Sequence, residues 1–581
     1  MDYIFCDIII IGSGLAGLRA AVAAAGANPK AKICVVTKVS GPRSHSISAE
    51  GGMAGVLYPE RTGDSYELHA YDTIKGGDFL VDQDAAMLLA QEAPKEILFL
   101  EKIGVPWSRD PDGRIAQRLF GGMSRPRTAF AKDKTGFYIM SALYRYARSL
   151  PIDFYEEHLV TKLLVKRRTF LGVVALDLRR GELVLFRGRA GVIATGGGGR
   201  LFKLTTMGYV NTGEMWGIAL RAGLALKDME FVQWHPTALV PSGILVSEAA
   251  RGEGGYLINK EGERFMKRYA PQKMELAPRD IVSRAIVSEC EAGRGFLHEE
   301  SGMCYVGLDL RHIDKERLKE RLPLLLEVVR MYAGLDPSKD LIPVAPAVHY
   351  FMGGIHTDTY GRVLAPDGSW VRGLWAAGEA AAVSVHGANR LGSNSLSECS
   401  VWGRLTGEAA AEYAASAEDP PASDLELKTL YVEEERRIFD KILHRESGGV
   451  SLGQVRSAIQ NALHMGAGVF RHGSTIEKAI SELTRAIPLI NKINVHDTGR
   501  IYNAELKELV ELEGAAQAAY VILLGAYFRR ESRGAHYRLD YPSRDDSRWL
   551  VHTIAYRYGE GIVVKWEPVR ITRWPPEARA Y

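Results

Sequence analysis

Arginine and histidine beside glycine or proline recur at five separate places in this chain. The first is Gln233-Trp234-His235-Pro236-Thr237, followed by Ser247-Glu248-Ala249-Ala250-Arg251-Gly252 and by Pro278-Arg279-Asp280. His349-Tyr350-Phe351-Met352-Gly353-Gly354 and His386-Gly387-Ala388-Asn389-Arg390-Leu391 complete the set. Taken singly, each reads as a turn-forming or capping polar residue. Together they offer arginines and histidines from loops rather than helical faces. A guanidinium fork binds a carboxylate through two parallel hydrogen bonds, and imidazole adds a donor whether neutral or charged. Recognition of a small dicarboxylate is the chemistry such a set suits.

These side chains need a frame. Residues 4–11 are a short apolar run, then come Gly12-Ser13-Gly14-Leu15-Ala16-Gly17, an alanine-rich stretch over 18–26 and a β-rich run at Ile33–Thr37. This is strand, turn, helix, strand with a G-x-G-x-x-G turn. Gly12 allows the tight turn, Gly14 lets a pyrophosphate approach the backbone, and Gly17 lets helix pack on strand. A nicotinamide-type site expects an acid about 20 residues further on, but the second strand ends Val36-Thr37-Lys38. Either the motif is a false positive or the dinucleotide is FAD held in a variant way. Val192–Gly197, a buried strand ending in a glycine turn, and 373–379, a strand ending at Glu379, favour FAD. On that reading Arg43–Gly52, with His45, lies beside the flavin.

Two distant halves of one nucleotide fold imply an insertion. The expected architecture is α/β: a two-segment Rossmann-like FAD-binding domain (1–237 and 345–412) with an inserted cap domain (238–344). A helical domain (413–525) follows, since 424–445 and 453–525 carry Leu, Ile and Ala at helical spacing. A C-terminal α+β tail (526–581), rich in Arg, Tyr, Trp and Pro, ends the chain.

Composition narrows the function further. The 581 residues are 46% hydrophobic and 25% charged, as in soluble proteins, and too many for one compact core. A net charge of +3 leaves no nucleic-acid footprint. Cys6, Cys34, Cys290, Cys304 and Cys399 are an odd, scattered set without metal-ligand spacing. This argues against a disulfide scaffold, for a reducing intracellular compartment, and against a metal or an iron–sulfur cluster held by this chain. Residues 7–27 are apolar enough for a membrane span, but Asp7 and Arg19 interrupt them, and no other stretch reads as a transmembrane helix.

With the runs Asp64–Asp84 (DSYELHAYDTIKGGDFLVDQD), Gly113–Gly122 (GRIAQRLFGG), Arg529–Asp546 (RRESRGAHYRLDYPSRDD) and Pro575–Tyr581, these motifs resemble the flavoprotein subunit of succinate dehydrogenase over essentially the whole chain. That family is a sister of quinol:fumarate reductase and a cousin of L-aspartate oxidase. The resemblance implies two-electron oxidation of succinate to fumarate, or the reverse, by hydride transfer to FAD, with His45 joined covalently to the flavin 8α-methyl carbon. It implies further FAD contacts at Gly12, Ser13, Gly14, Leu15, Ala16, Gly17, Thr37, Lys38, Ser44, Ser46, Ala49, Gly51, Gly52, Glu214, Glu379, Arg390, Ser395 and Leu396. His235, Ser247, Glu248, His349 and Arg390 match dicarboxylate-binding positions. Arg279 matches the proton-exchanging arginine, and Glu248 and Arg251 match its relay to solvent.

By the same resemblance, electrons leave through an iron–sulfur subunit to a membrane anchor and quinone. The chain is then expected on the cytoplasmic side of the cell membrane, held there by its partners. Ser247 stands where the family has Thr, Glu214 where it usually has Asp, Phe137 where His is common, and Ser397 where an apolar residue is usual. L-aspartate oxidase, which typically lacks a histidine at the position of His45, a stand-alone fumarate reductase and a non-catalytic binding subunit are the competing readings.

Overall fold

The computed structural model describes residues 3–420, 422–446 and 448–579. Four strands frame its central cleft. Ile4–Ile11, Ile33–Thr37, Glu182–Ile193 and Trp370–Ala376 run parallel within an eight-stranded sheet. Helices cover the sheet, so the first strand reads as a continuous apolar run, with Ile8, Ile9, Ile10 and Ile11 all buried. Ile11 pairs with Val36 on one side and Ile193 on the other, and Ile193 pairs with Ala376. The chain therefore leaves these four strands along one edge, the carboxyl edge at which open α/β sheets bind ligands.

Helix Leu15–Ala27 is alanine-rich because it is enclosed. On the helix Asn394–Ser416 that packs against it, a Cβ at Gly407 would lie 2.2 Å from the Ala20 carbonyl oxygen. The two backbones approach that closely only because glycine stands there. From Leu239 to Val344 the chain builds a second hydrophobic core. Strands Val232–Leu239 and Ile342–Phe351 lead into it, in an antiparallel sheet with Cys304–Asp309 and Tyr256–Ile258.

Beyond residue 413 the expected helices form at Asp424–Glu435, Leu452–Gly466, Gly473–Ala486 and Ala504–Phe528. Ser423 with Glu426 and Ser451 with Gln454 make capping boxes that start two of them. The run 453–525 is not continuous; it breaks after Gly466 and again before Ala504. By length and composition Ala504–Phe528 could cross a membrane, contrary to the expectation of no such stretch. However, 78% of its most apolar window is buried, and at Gly514 its backbone meets Gly217 of helix Glu214–Arg221. Its apolarity is that of a core helix. The tail contains a hairpin, Val551–Tyr558 and Gly561–Pro568, which pairs onto Ala225–Lys227 and so joins a sheet of the main body.

The cysteine expectation is overturned. Cys6 is bonded to Cys34 across neighbouring strands, and Cys290 to Cys304 across a helix and a strand; Cys399 is free. Sheet and helix packing bring the paired Cα atoms to 6.1 and 5.9 Å, within bonding reach. Sequence spacing carries no trace of that, and the inference of a reducing compartment from cysteine usage falls with it.

Candidate active site

A cavity of about 470 Å³ opens at the carboxyl edge of the sheet. Gly12, Ser13, Gly14, Leu15, Ala16, Thr37, Lys38, Ser44, His45, Ser46, Ala49, Gly51, Gly52, Glu214, Glu379, Arg390, Ser395 and Leu396 all line it. Gly12 has φ +107°, and a Cβ there would lie 2.3 Å from the Ala194 carbonyl oxygen. Gly17 does not reach the cavity. A Cβ on it would sit 2.1 Å from the Gly12 carbonyl oxygen, so it serves the helix–strand contact alone. The Ser13 hydroxyl is 2.9 Å from that of Thr37, and the Leu15 N–H donates to Ser46 Oγ, which ties the glycine turn to the segment carrying His45.

Where a nicotinamide site would have an acid, Lys38 donates to Glu214 (2.6 Å) and Glu511 (2.9 Å). Burial opposes its charge, but the two carboxylates prevail and hold Lys38 above its ordinary pKa. Glu379 accepts from the Phe351 N–H, and burial pushes its carboxyl up to about 8. Burial pushes the His45 ring down to about 4. Its Nδ1 accepts the Gly208 N–H at 3.1 Å, so the neutral ring carries its proton on Nε2.

His235, Ser247, Glu248, Arg279, His349 and Arg390 line the same cavity. The sequence reading puts them in loops, and of the six Arg390 and Ser247 lie outside helix and strand. His235 and His349 stand on the paired strands Val232–Leu239 and Ile342–Phe351, with ring centroids 4.8 Å apart. Glu248 and Arg279 each open a helix, and Ser247 is the N-cap of the first. Turn-like residues recur here because strand ends and helix starts share the polar and glycine-rich signature of loops. Arg251 is set behind the others, off the cavity, with Nη2 3.9 Å from Glu248.

The hydrogen bonds are specific. Arg279 Nε donates to Glu248 at 2.9 Å and its Nη1 to Gln233 Oε1 at 3.0 Å. Gln233 Nε2 donates in turn to the Arg390 carbonyl at 2.8 Å. Glu248 also accepts the Gly121 N–H. Burial, then Arg279, push both imidazoles well below their ordinary pKa, and the same two causes bring Arg390 down to about 10. Burial raises Glu248, but Arg279 and Arg251 outweigh it and keep the carboxyl below its usual value. The result is a buried site with cationic arginines and neutral histidines, suited to a dianion.

A family profile described as "FAD binding domain" matches residues 7–396, and one described as "Fumarate reductase flavoprotein C-term" matches 456–581. The chain is 43% identical to a fumarate reductase flavoprotein subunit of Mycobacterium tuberculosis, with 99% of each chain covered. It is 41% identical to a succinate dehydrogenase flavoprotein subunit of Rickettsia bellii, covering 99% of this chain and 97% of that one. A solved mutant of Escherichia coli quinol fumarate reductase superposes with a TM-score of 0.95 at 40% identity, over 100% and 99% of the two chains. The chain belongs to the fumarate reductase/succinate dehydrogenase flavoprotein subunits. It is thus an FAD-dependent oxidoreductase of that family, with the expected α/β architecture.

The cleft of this flavoprotein subunit fits the cofactor. Ser44 Oγ, Asn211 Oδ1, Ser393 Oγ and Arg390 Nε line it, buried and without a hydrogen-bond partner among the described residues. Gly14 leaves open the place where a Cβ would stand 3.3 Å from Ser46 Oγ. Three residues of the site escaped the sequence analysis. Gln233 braces both arginines; the signal was its place two residues before His235, on the same face of a strand. Tyr350 lays its ring 4.4 Å from the Arg390 guanidinium and donates its hydroxyl to Glu398. Glu50 lines the cavity, and burial, then Asp133, push its carboxyl well above the ordinary range.

Proposed function

We propose that this subunit interconverts succinate and fumarate in the shared cavity, with FAD joined to His45 through Nε2. The observation that carries the reading is the meeting, in one cavity, of the glycine turn, His45, both histidines and both arginines. Bound FAD would supply the two-electron acceptor or donor.

Arg390, His235, His349 and Ser247 hold the two carboxylates. Neutral imidazoles donate without adding charge, so the guanidinium groups set the electrostatics. Arg279 exchanges a proton with the substrate carbon. An ordinary guanidinium is a poor base, and a crowded, cationic, water-poor site is what that role requires. Glu248, bonded to Arg279 Nε, and Arg251 behind it form the route by which the proton leaves.

We keep the domain division 1–237 with 345–412, 238–344, 413–525 and 526–581; the separate core of the inserted segment supports 238–344 as a unit, whereas the helices beyond 413 share the core of the main body. As partners we propose an iron–sulfur subunit that takes the electrons and a membrane anchor that passes them to quinone. The fumarate reductase of the solved relative is a quinol enzyme, which supports this. The subunit would then lie on the cytoplasmic side of the membrane, attached through those partners.

The test is flavin fluorescence in a denaturing gel of the purified chain. A fluorescent band at 64.0 kDa that disappears in His45→Ser, together with succinate-dependent dye reduction, is the expected result. Flavin that runs with the dye front overturns the covalent bond, and an inactive, fully flavinylated chain overturns the reaction.

A further inference from the structure

The C-terminal segment is remote in sequence from both substrate arginines, yet it grips the elements that carry them. Arg579 Nη2 lies 2.6 Å from Asp280 Oδ1, and its Nη1 lies 3.1 Å from Asp280 Oδ2 and 3.4 Å from Asp78 Oδ2. Asp280 follows Arg279 in the first turn of the helix Arg279–Glu291, which contributes to the inserted core. Asp78 follows the helix Tyr66–Gly76 of the main body. Both aspartates are buried.

A second contact runs parallel to the first. Arg284, one turn along the same helix, donates to the Gly534 carbonyl at 3.0 Å, and the Gly534 N–H donates to Asp78 at 2.8 Å. The next N–H, of Ala535, donates to the Ala388 carbonyl at 2.9 Å, two residues before Arg390.

Arg279 and Arg390 therefore hang from different supports, one from the inserted core and one from the main body. Contacts across that boundary set their separation. A guanidinium can grip two carboxylates at once in fixed geometry, which an ammonium on a flexible stem does not reproduce. Arg284 also reaches Asp280 at 3.0 Å and Arg544 reaches Asp78 at 2.8 Å, so each carboxylate keeps a second cation; what Arg579 adds is one guanidinium shared by both aspartates across the boundary.

We propose that Arg579 is a positioning residue, a clasp that holds the Arg279 helix against the body and so sets the spacing of the two arginines for a dicarboxylate. This rests on the substrate roles given above to Arg279 and Arg390.

The test uses the flavin-loaded full-length chain and three variants: Arg579→Ala, Arg579→Lys and Asp280→Asn. Malonate, a dicarboxylate that cannot be oxidised in this way, is titrated by flavin absorbance. Dye-coupled succinate turnover and hydrogen exchange of the amides are measured alongside. In Arg579→Ala the malonate Kd and succinate KM should rise about tenfold, since small misplacements of binding groups cost this much or more. Exchange should quicken in 279–291 and not in 4–37, and Arg579→Lys should recover part of the affinity. Wild-type binding and exchange in Arg579→Ala overturn the clasp, as does quickened exchange throughout the chain. If Arg579→Ala does not fold, Asp280→Asn decides: a smaller shift in the same direction supports the clasp, and wild-type malonate affinity overturns it. A wild-type chain that neither binds malonate nor oxidises succinate overturns the underlying substrate roles instead.

Discussion

Arg279 is held from two directions, by Glu248 at Nε and by Gln233 at Nη1. Each bond removes a degree of freedom from a side chain that must present one nitrogen to a carbon atom. Arg279→Lys and Arg279→Ala should abolish succinate turnover while flavin content stays at the wild-type level, measured by dye reduction and by absorbance. Retained turnover would sink the proton role. Gln233 makes a subtler prediction. Gln233→Leu removes the acceptor for Arg279 and the donor to the Arg390 carbonyl while roughly keeping the volume. We expect kcat/KM to fall about 10- to 100-fold, the size of effect that misplacing reacting groups by about an ångström produces. Steady-state kinetics at unchanged flavin content would show it, and wild-type kinetics would mean that the two arginines are placed without its help.

At the level of elements, the site depends on how tightly the parallel strands and their helices are joined. Glycine does this where Gly407 meets Ala20, and the Cys6–Cys34 bond joins the first two strands covalently. A cross-link spanning 28 residues stabilises, on the chain-entropy account, by about 3–4 kcal/mol. Cys34→Ser should therefore lower the melting temperature by several degrees. Peptide mass analysis of the unreduced wild-type chain should find Cys6 and Cys34 in one linked species. Free thiols at both positions in the native chain would remove this contribution. Disulfides within cells are established for hyperthermophilic organisms and rare elsewhere, so that measurement also bears on the setting in which the chain works.

Across the molecule, the C-terminal hairpin is fastened to the body through charge. His552 Nδ1 lies 2.6 Å from Asp228 and its Nε2 3.3 Å from Asp82, all three buried. Burial opposes the imidazolium, but the two carboxylates prevail and bring His552 up to about 9. A histidine whose pKa rises on folding stabilises the native state fully below its unfolded value, about 6.5. That contribution is lost as pH climbs through the folded value. Thermal melting should therefore weaken between about pH 6.5 and 9, and His552→Gln should flatten that slope while lowering stability near neutrality. An unchanged slope in His552→Gln would assign the pH dependence to other groups.

The sequence by itself determined what is local or repeated in kind. The glycine turn at Gly12–Gly17 was legible because backbone geometry demands glycine at set spacings. The parallel strands before Gly196 and Glu379 showed through their apolar runs, although they end at Ile193 and Ala376 and the acid follows in a short turn; the family showed through long motifs. Tertiary structure alone decided the rest. The facing of His235 and His349, the Lys38–Glu214–Glu511 cluster, the two disulfides and the grip of Arg579 on Asp280 all join residues remote in sequence. The physical reason is that a local motif is imposed by the dihedrals and hydrogen bonds of its own few residues. A long-range contact exists only once the packing of whole elements has brought its partners together.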